Sequence, residues 1–165
     1  MNEKYIAEYK DKLNQNVLKN IIFNRLPILK DFGIKFIEKD KSSLLLNEIY
    51  KKIDFNSQDN KNVLLIEKNE KINLYYNEVM EFRNKIFKIQ NNIECVLFIE
   101  FKEFYPVIIN GNMVLQYIDI FFDITGFKEG NADFIFVSKD LSYGICIEKY
   151  EYYNKLVKWG NMSKN

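Results

Sequence analysis

Residues 131–160 read NADFIFVSKDLSYGICIEKYEYYNKLVKWG, and this stretch decides the fold of the 165-residue chain. Apolar runs alternate with polar turns, of which 139–142 is the first, and this pattern is typical of antiparallel strands joined by tight connections. The predicted strands are 133–138, 143–148 and 155–159. Because three sequential strands need cover on at least one face, we expect helices from the upstream sequence to pack on them.

Helical spacing of apolar residues recurs four times upstream. The first helix is the clearest, since apolar residues return at steps of three and four along one face. Those residues are Tyr5, Ile6, Tyr9, Leu13, Val17 and Ile21. The predicted helices run over 3–23, from a cap at Ser42 or Ser43 to 53, from 77 to about 90, and from the turn Asn110-Gly111 to a left-handed cap at Gly126.

The remaining apolar runs indicate further strands. Residues 63–66 and 72–76 are interpreted as a hairpin, and residues 94–101 and 104–109 as two more strands, the second at an edge because it contains Pro106. Segments 34–37 and 86–89 are also compatible with short strands. The predicted strands and helices describe an α+β fold. We expect a mixed, mainly antiparallel β-sheet of about five to seven strands with three to four helices packed on it, in a single domain over 1–165.

Several chemistries are excluded by what the sequence lacks. The chain has no histidine, so catalytic triads and imidazole metal sites are ruled out. It also has no CxxC, GxGxxG or GxxxxGK motif, and neither a zinc site nor a standard nucleotide loop is supported. We expect no metal and no cofactor.

Charge is distributed unevenly along the chain. The net charge is only +1, so no global field favours nucleic acid or a membrane. Residues 93–148, however, carry nine acidic and three basic side chains, a net of −6. This segment therefore predicts an acidic surface on the sheet-rich half of the domain.

Five carboxylates of that segment are candidate site residues. Asp119 and Asp123 are four residues apart on a predicted helix face, where they suit either Mg²⁺ or an acid and base pair, or simply meet water. Glu100, Glu103 and Glu148 lie at predicted strand ends. If Glu100 and Glu148 project from neighbouring strands, they make an acidic site; otherwise they are surface charges that keep the protein soluble.

Aromatic residues gather near the C-terminus. Tyr150, Tyr152 and Tyr153 lie between the last two strands, and Trp159 ends the final one. Tyrosine and tryptophan are favoured at recognition surfaces, but the same rings also cover sheet faces. The three tyrosines are therefore interpreted as a candidate partner-binding group, with core packing as the alternative.

The two cysteines, Cys95 and Cys146, lie inside apolar runs and are expected to be buried thiols, not a disulfide or metal pair. We see no signal sequence, and no apolar run approaches the ~18 residues that a membrane span needs. These observations favour a cytoplasmic protein.

The segments 121–127 (FFDITGF), 132–138 (ADFIFVS), 140–148 (DLSYGICIE) and 150–153 (YEYY) together resemble the C-terminal part of small bacterial α/β proteins. Some of these are immunity proteins of polymorphic or contact-dependent toxin systems. The resemblance implies inhibition of a cognate toxin by binding and assigns no residue a role.

The leading hypothesis is therefore a non-catalytic immunity protein that neutralises a cognate protein toxin through an acidic, tyrosine-rich surface. An acidic surface suits a basic nuclease cleft. A small carboxylate- or Mg-dependent enzyme and a self-associating accessory protein, such as a homodimer, remain alternatives. Nucleic acid and membranes are not expected partners.

Overall fold

The computed structural model describes residues 3–68, 72–86, 93–101, 103–130 and 132–160. Its centre is a seven-stranded sheet in which every described pair of strands is antiparallel. The strands are β1 (Lys35–Phe36), β2 (Val63–Glu67), β3 (Glu94–Phe101), β4 (Glu103–Asn110), β5 (Phe134–Ser138), β6 (Gly144–Lys149) and β7 (Tyr153–Trp159). Their order across the sheet is β1-β4-β3-β5-β6-β7-β2.

Six α-helices are described around this sheet. They are α1 (Glu3–Arg25), α2 (Leu29–Phe32), α3 (Lys39–Asn56), α4 (Asn73–Ile86), α5 (Gly111–Gln116) and α6 (Ile118–Ile124), and a short 3-10 turn covers Asn60–Asn62. The predicted α+β class and the mainly antiparallel sheet are confirmed.

The stretch that decides the fold forms the three predicted strands. β5 pairs with β6 through Phe134 opposite Ile147, and β6 pairs with β7 through Gly144 opposite Trp159. The turn before β6 holds Leu141 at a positive φ of 58°, and its carbonyl accepts a hydrogen bond from the Trp159 indole at 3.1 Å. This hydrogen bond from Trp159 on β7 therefore fixes the loop that precedes β6.

Three predicted features are wrong. The strand that contains Pro106, β4, is not at an edge, because β1 pairs with it on one side and β3 on the other. The hairpin partner expected at 72–76 is the start of α4, because the apolar residues there continue the helical face of Tyr75, Val79 and Phe82, all of them buried. The second long helix begins at Lys39 with Glu38 at its N-cap, and not at Ser42 or Ser43. Residues 87–90, the predicted end of the third helix, lie outside the described residues.

The helix predicted between Asn110 and Gly126 divides at Tyr117 into α5 and α6. Asn110 caps α5 by accepting hydrogen bonds from the Asn112 and Met113 amides. Gly126 has the predicted left-handed conformation, at φ 78°. The next residue, Phe127, packs back on Phe122, as predicted, with ring centroids 4.9 Å apart.

Each face of the sheet carries its own hydrophobic core. One face is covered by α2, α4, α5, α6 and the C-terminal end of α1, and Phe82, Phe122 and Phe134 are fully buried there. Of the described helices, α3 covers the other face, with Ile49 and Ile53 against Val157 and Trp159. Both predicted thiols are buried, Cys95 in the first core and Cys146 in the second.

α1 contradicts the simplest interpretation of its amphipathic pattern. Leu18, Ile22 and Leu26 are buried, whereas the stripe of Tyr5, Tyr9, Leu13, Val17 and Ile21 is exposed. Those five residues, spaced four apart, lie on the side of the helix away from Leu18 and Ile22. The helix therefore reaches the core through its C-terminal half, on a face that the stripe does not include.

Candidate functional site

The turn between β6 and β7 presents three tyrosines to solvent. Tyr150, Tyr152 and Tyr153 have exposed fractions of 40%, 77% and 36%. The Tyr150 amide donates a hydrogen bond to the Tyr153 carbonyl at 2.9 Å, which closes the turn. The rings of Tyr150 and Tyr153 then stack, with centroids 5.0 Å apart and planes 17° from parallel. Two of the three predicted contact residues are thus held in one orientation before any partner arrives.

A shielded ion pair lies beside these rings. Glu148 on β6 is opposite Lys155 on β7, and Lys155 Nζ lies 2.7 Å from Glu148 Oε2 with both side chains less than a fifth exposed. Burial by itself lowers the pKa of Lys155, but the hydrogen bond that its ammonium donates to Glu148, together with the charge of Glu148 and the nearby Tyr150, outweighs burial, and the pKa of Lys155 is raised. The ammonium also lies 5.8 Å from the Tyr150 ring centroid. The pair therefore ties Tyr150 to the sheet.

Tyr50 of α3 reaches the same end of the sheet. Burial, together with the nearby Asp133 and Glu148 carboxylates, raises the pKa of the Tyr50 hydroxyl to about 12. Asp133 Oδ1 itself accepts the Lys149 backbone N–H at 2.8 Å. The Tyr50 side chain thus stays protonated and can donate a hydrogen bond throughout the physiological pH range.

Glu100 and Glu148 do not project from neighbouring strands. Glu100 is on β3 and Glu148 on β6, and β5 runs between them. Side chains alternate along a strand, so Glu148 belongs to the α3 side of the sheet with Cys146, whereas the Glu100 carboxylate lies beside Gly126, which follows α6. Glu100 Oε2 is buried, and among the described residues no donor is placed to bond it.

Asp119 and Asp123 form a separate cluster on α6. Lys128 Nζ bridges them at 2.8 and 3.0 Å, and the Tyr76 hydroxyl also donates to Asp119. The hydrogen bond from Lys128, followed by that from Tyr76, lowers the pKa of Asp119, and the two carboxylates raise that of Lys128. α6 packs on the face of the sheet opposite α3, so this cluster cannot share one catalytic centre with Glu148.

Glu103 stands apart from both groups. It begins β4, and its carboxylate lies 2.5 Å from Lys39 Nζ at the start of α3. Pairing of this kind recurs through the acidic segment, where Glu94 meets Lys139 at 2.8 Å. Five of the nine acidic side chains of the segment are thus in ion pairs with lysine, two of them with Lys39 and Lys155, which belong to other segments of the sequence.

Three residues that the sequence analysis did not select lie beside the tyrosines. Leu65 and Glu67 on β2 are opposite Lys155 and Tyr153 in the β2–β7 register, and Leu65 is 62% exposed. Glu151 is exposed in the turn itself. We call this set the tyrosine surface: Leu65, Glu67, Tyr150, Glu151, Tyr152 and Tyr153. β2 is a continuous apolar run from Val63 to Ile66, so no sequence pattern singles out Leu65, and its pairing with β7 is a long-range contact.

Over the described ranges, no three Asp, Glu, Cys or His side chains lie close enough together to hold a metal ion. Within the same ranges, none of the helices combines the length and apolar character that crossing a bilayer requires.

Fold and surface together define an α+β domain on a seven-stranded antiparallel sheet, with an aromatic surface at one end of the sheet. The family model described as YxiF protein matches residues 8–159, which is most of the chain, and the chain belongs to this family. No curated protein and no solved structure matches it.

Proposed function

We propose that this protein is a non-catalytic immunity protein of the cytoplasm that binds a cognate bacterial toxin and neutralises it. The observation that carries the proposal is the tyrosine surface. Exposed, stacked tyrosines are costly to leave in water and lose little conformational entropy on binding, because Tyr150 and Tyr153 are already held together.

Charge supports the same choice of partner. Glu67 and Glu151 are exposed beside the tyrosines, whereas Lys155 is shielded and committed to Glu148. Two exposed carboxylates therefore lie at the rim, with the exposed Lys68 next to Glu67, and a partner with basic groups around an apolar contact complements the two carboxylates. Since four other carboxylates of the acidic segment, Glu94, Glu103, Asp119 and Asp123, are paired with lysines, the aromatic anchors supply more of the affinity than net charge does.

The test is co-expression with the product of the adjacent gene, measured by growth rescue and by size-exclusion chromatography of the complex. The double variant Tyr152→Ser/Tyr153→Ser is expected to bind at least about 30-fold more weakly, since anchor residues contribute about 2 kcal/mol or more. Its free energy of unfolding should fall by no more than about 1–2 kcal/mol, because Tyr152 is exposed and the loss is confined to the stacking of Tyr153 on Tyr150.

A control variant replaces two exposed apolar side chains of α3, in Leu44→Ser/Phe55→Ser, with exposed fractions of 68% and 72%. This control should bind and protect as the parent chain does. A parent chain that neither binds nor protects overturns the proposed function. A tyrosine variant that binds as tightly as the parent overturns the choice of surface.

A further inference from the structure

α1 presents an uncovered apolar stripe along its length. Tyr5, Tyr9, Leu13, Val17 and Ile21 follow one another at steps of four residues, with exposed fractions from 70% at Tyr9 to 36% at Ile21. We call these five residues the α1 ridge. Such a row is the i±4 ridge that helices use when they pack against each other.

The opposite face of the same helix is polar where it meets the domain. Asp11 and Gln15 are hydrogen-bonded to each other at 2.9 Å and line a narrow groove with Lys39, Glu103 and Tyr105. The N-terminal half of α1 thus directs polar groups toward its own domain and apolar groups toward solvent. Contiguous apolar surface of this size on a soluble domain marks an interaction site.

We propose that the α1 ridge binds the α1 ridge of a second copy of this chain, in an antiparallel pair whose two-fold axis passes near Leu13. In that register Leu13 meets Leu13, and Tyr9 meets Val17 of the other copy. In this register the large tyrosine side chains face smaller aliphatic side chains across the contact.

The charges along α1 favour the antiparallel direction. Glu3 is in the first turn and Arg25 in the last, so an antiparallel pair brings opposite charges and opposite helix-dipole ends together. A parallel pair would bring like ends together. Beside the ridge, Asn16 and Asn20 are uncharged, whereas Glu8, Lys10 and Lys12 are charged. In this register Lys10 is opposite Asn16 of the other copy, so no like charges meet there.

The surface has the size and shape for a modest dimer. The five ridge side chains expose roughly 500 Å² per copy, or roughly 1,000 Å² for a pair, which is the lower end of specific interfaces. A groove of about 520 Å³ lies beside the ridge, between Tyr5, Ile6, Glu8, Tyr9 and Lys12, and it can receive the Val17 end of the facing helix.

Analytical ultracentrifugation of the full chain at about 100 µM tests the pairing, a concentration chosen for an interface of this size. The parent chain is expected to sediment as a dimer. Leu13→Glu and Leu13→Lys should each be monomeric, because two like charges meet at the axis, whereas their equimolar mixture should return to the dimer. Leu44→Glu on α3, which is similarly exposed, should leave the dimer intact.

Cross-linking tests the direction of the pair. Tyr9→Cys mixed with Val17→Cys should form an intermolecular disulfide several times faster than either variant alone, and the buried native cysteines do not compete. A monomeric parent chain, a mixture of the Leu13 variants that stays monomeric, or equal cross-linking of the single variants overturns the proposal. Circular dichroism of each variant excludes unfolding as the cause, since Leu13 is half exposed.

Discussion

The indole of Trp159 lies directly against Gly144, its partner across the β6–β7 pair. A Cβ on residue 144 would stand 2.4 Å from the nearest ring carbon. The same indole donates its hydrogen bond to the Leu141 carbonyl, so the ring cannot move aside without releasing the turn. Glycine at 144 is therefore required by contact with another strand and not by its own backbone conformation.

We expect Gly144→Ala to lower the free energy of unfolding by about 2–3 kcal/mol, because overpacking at a buried site forces side chains from their preferred rotamers. Urea denaturation followed by circular dichroism measures the change. In a Trp159→Leu background the same substitution should cost at least about 1 kcal/mol less, since the obstructing ring is gone. Equal costs in the two backgrounds would contradict the contact as the cause.

A second prediction concerns the ion pair that joins α4 to the sheet. Lys158 on β7 lies 2.5 Å from Glu78 on α4, and both side chains are less than a fifth exposed. Lys158→Met should lower the free energy of unfolding by about 1–3 kcal/mol, since it leaves Glu78 shielded from water and short of its main cation. Thermal and urea unfolding measure this loss.

The matched control is Lys51→Met. Lys51 pairs with Glu48 at a similar distance of 2.6 Å, but its side chain is 72% exposed. Its removal should change the free energy of unfolding by less than about 0.5 kcal/mol. If the two lysine variants are equally destabilised, burial does not decide the strength of these pairs.

A third prediction is loss of stability in alkali. Burial raises the pKa of the Cys95 thiol to about 12, and the Tyr143 hydroxyl, 3.6 Å from its sulfur, has a raised pKa for the same reason. The unfolded thiol ionises near pH 8.5. The contribution of Cys95 to stability is thus complete below about pH 8.5 and is lost as the pH rises toward 12.

Urea unfolding between pH 8 and pH 11 measures that slope. Cys95→Ala should reduce it by up to about 1.4 kcal/mol per pH unit, although the variant is less stable overall because it leaves a cavity. Tyr152→Phe, which removes a hydroxyl from a side chain that is 77% exposed, should leave the slope unchanged. An unaltered slope in Cys95→Ala would contradict the assignment.

Local pattern predicted much of this fold because the relevant forces act over a few residues. Alternation and turn chemistry identified β5, β6 and β7, and the left-handed Gly126 followed from helix-capping rules. The wrong prediction of a strand at 72–76 also comes from reliance on local pattern. A short apolar run suits either a strand or a helix, and only the burial of Tyr75, Val79 and Phe82 against the sheet decided for the helix.

The candidate site was only half predictable. The tyrosines were identified by residue type, and the structure brings Tyr150 and Tyr153 together. Leu65 and Glu67 join them through strand pairing across more than eighty residues, which no local pattern encodes. The five acidic candidates were found in the sequence but not their partners, since Lys39 and Lys155 come from distant elements.

The sequence by itself determined the class of fold, the helix and strand content of most segments, the burial of both cysteines and the absence of imidazole chemistry. These follow from composition and from hydrophobic periods of two and 3.6 residues. Only the tertiary structure decided which apolar stripe of α1 is covered and which carboxylates share a face. Both depend on packing and charge contacts between segments far apart in the chain, and a periodic pattern shows that a face is apolar without showing what covers it.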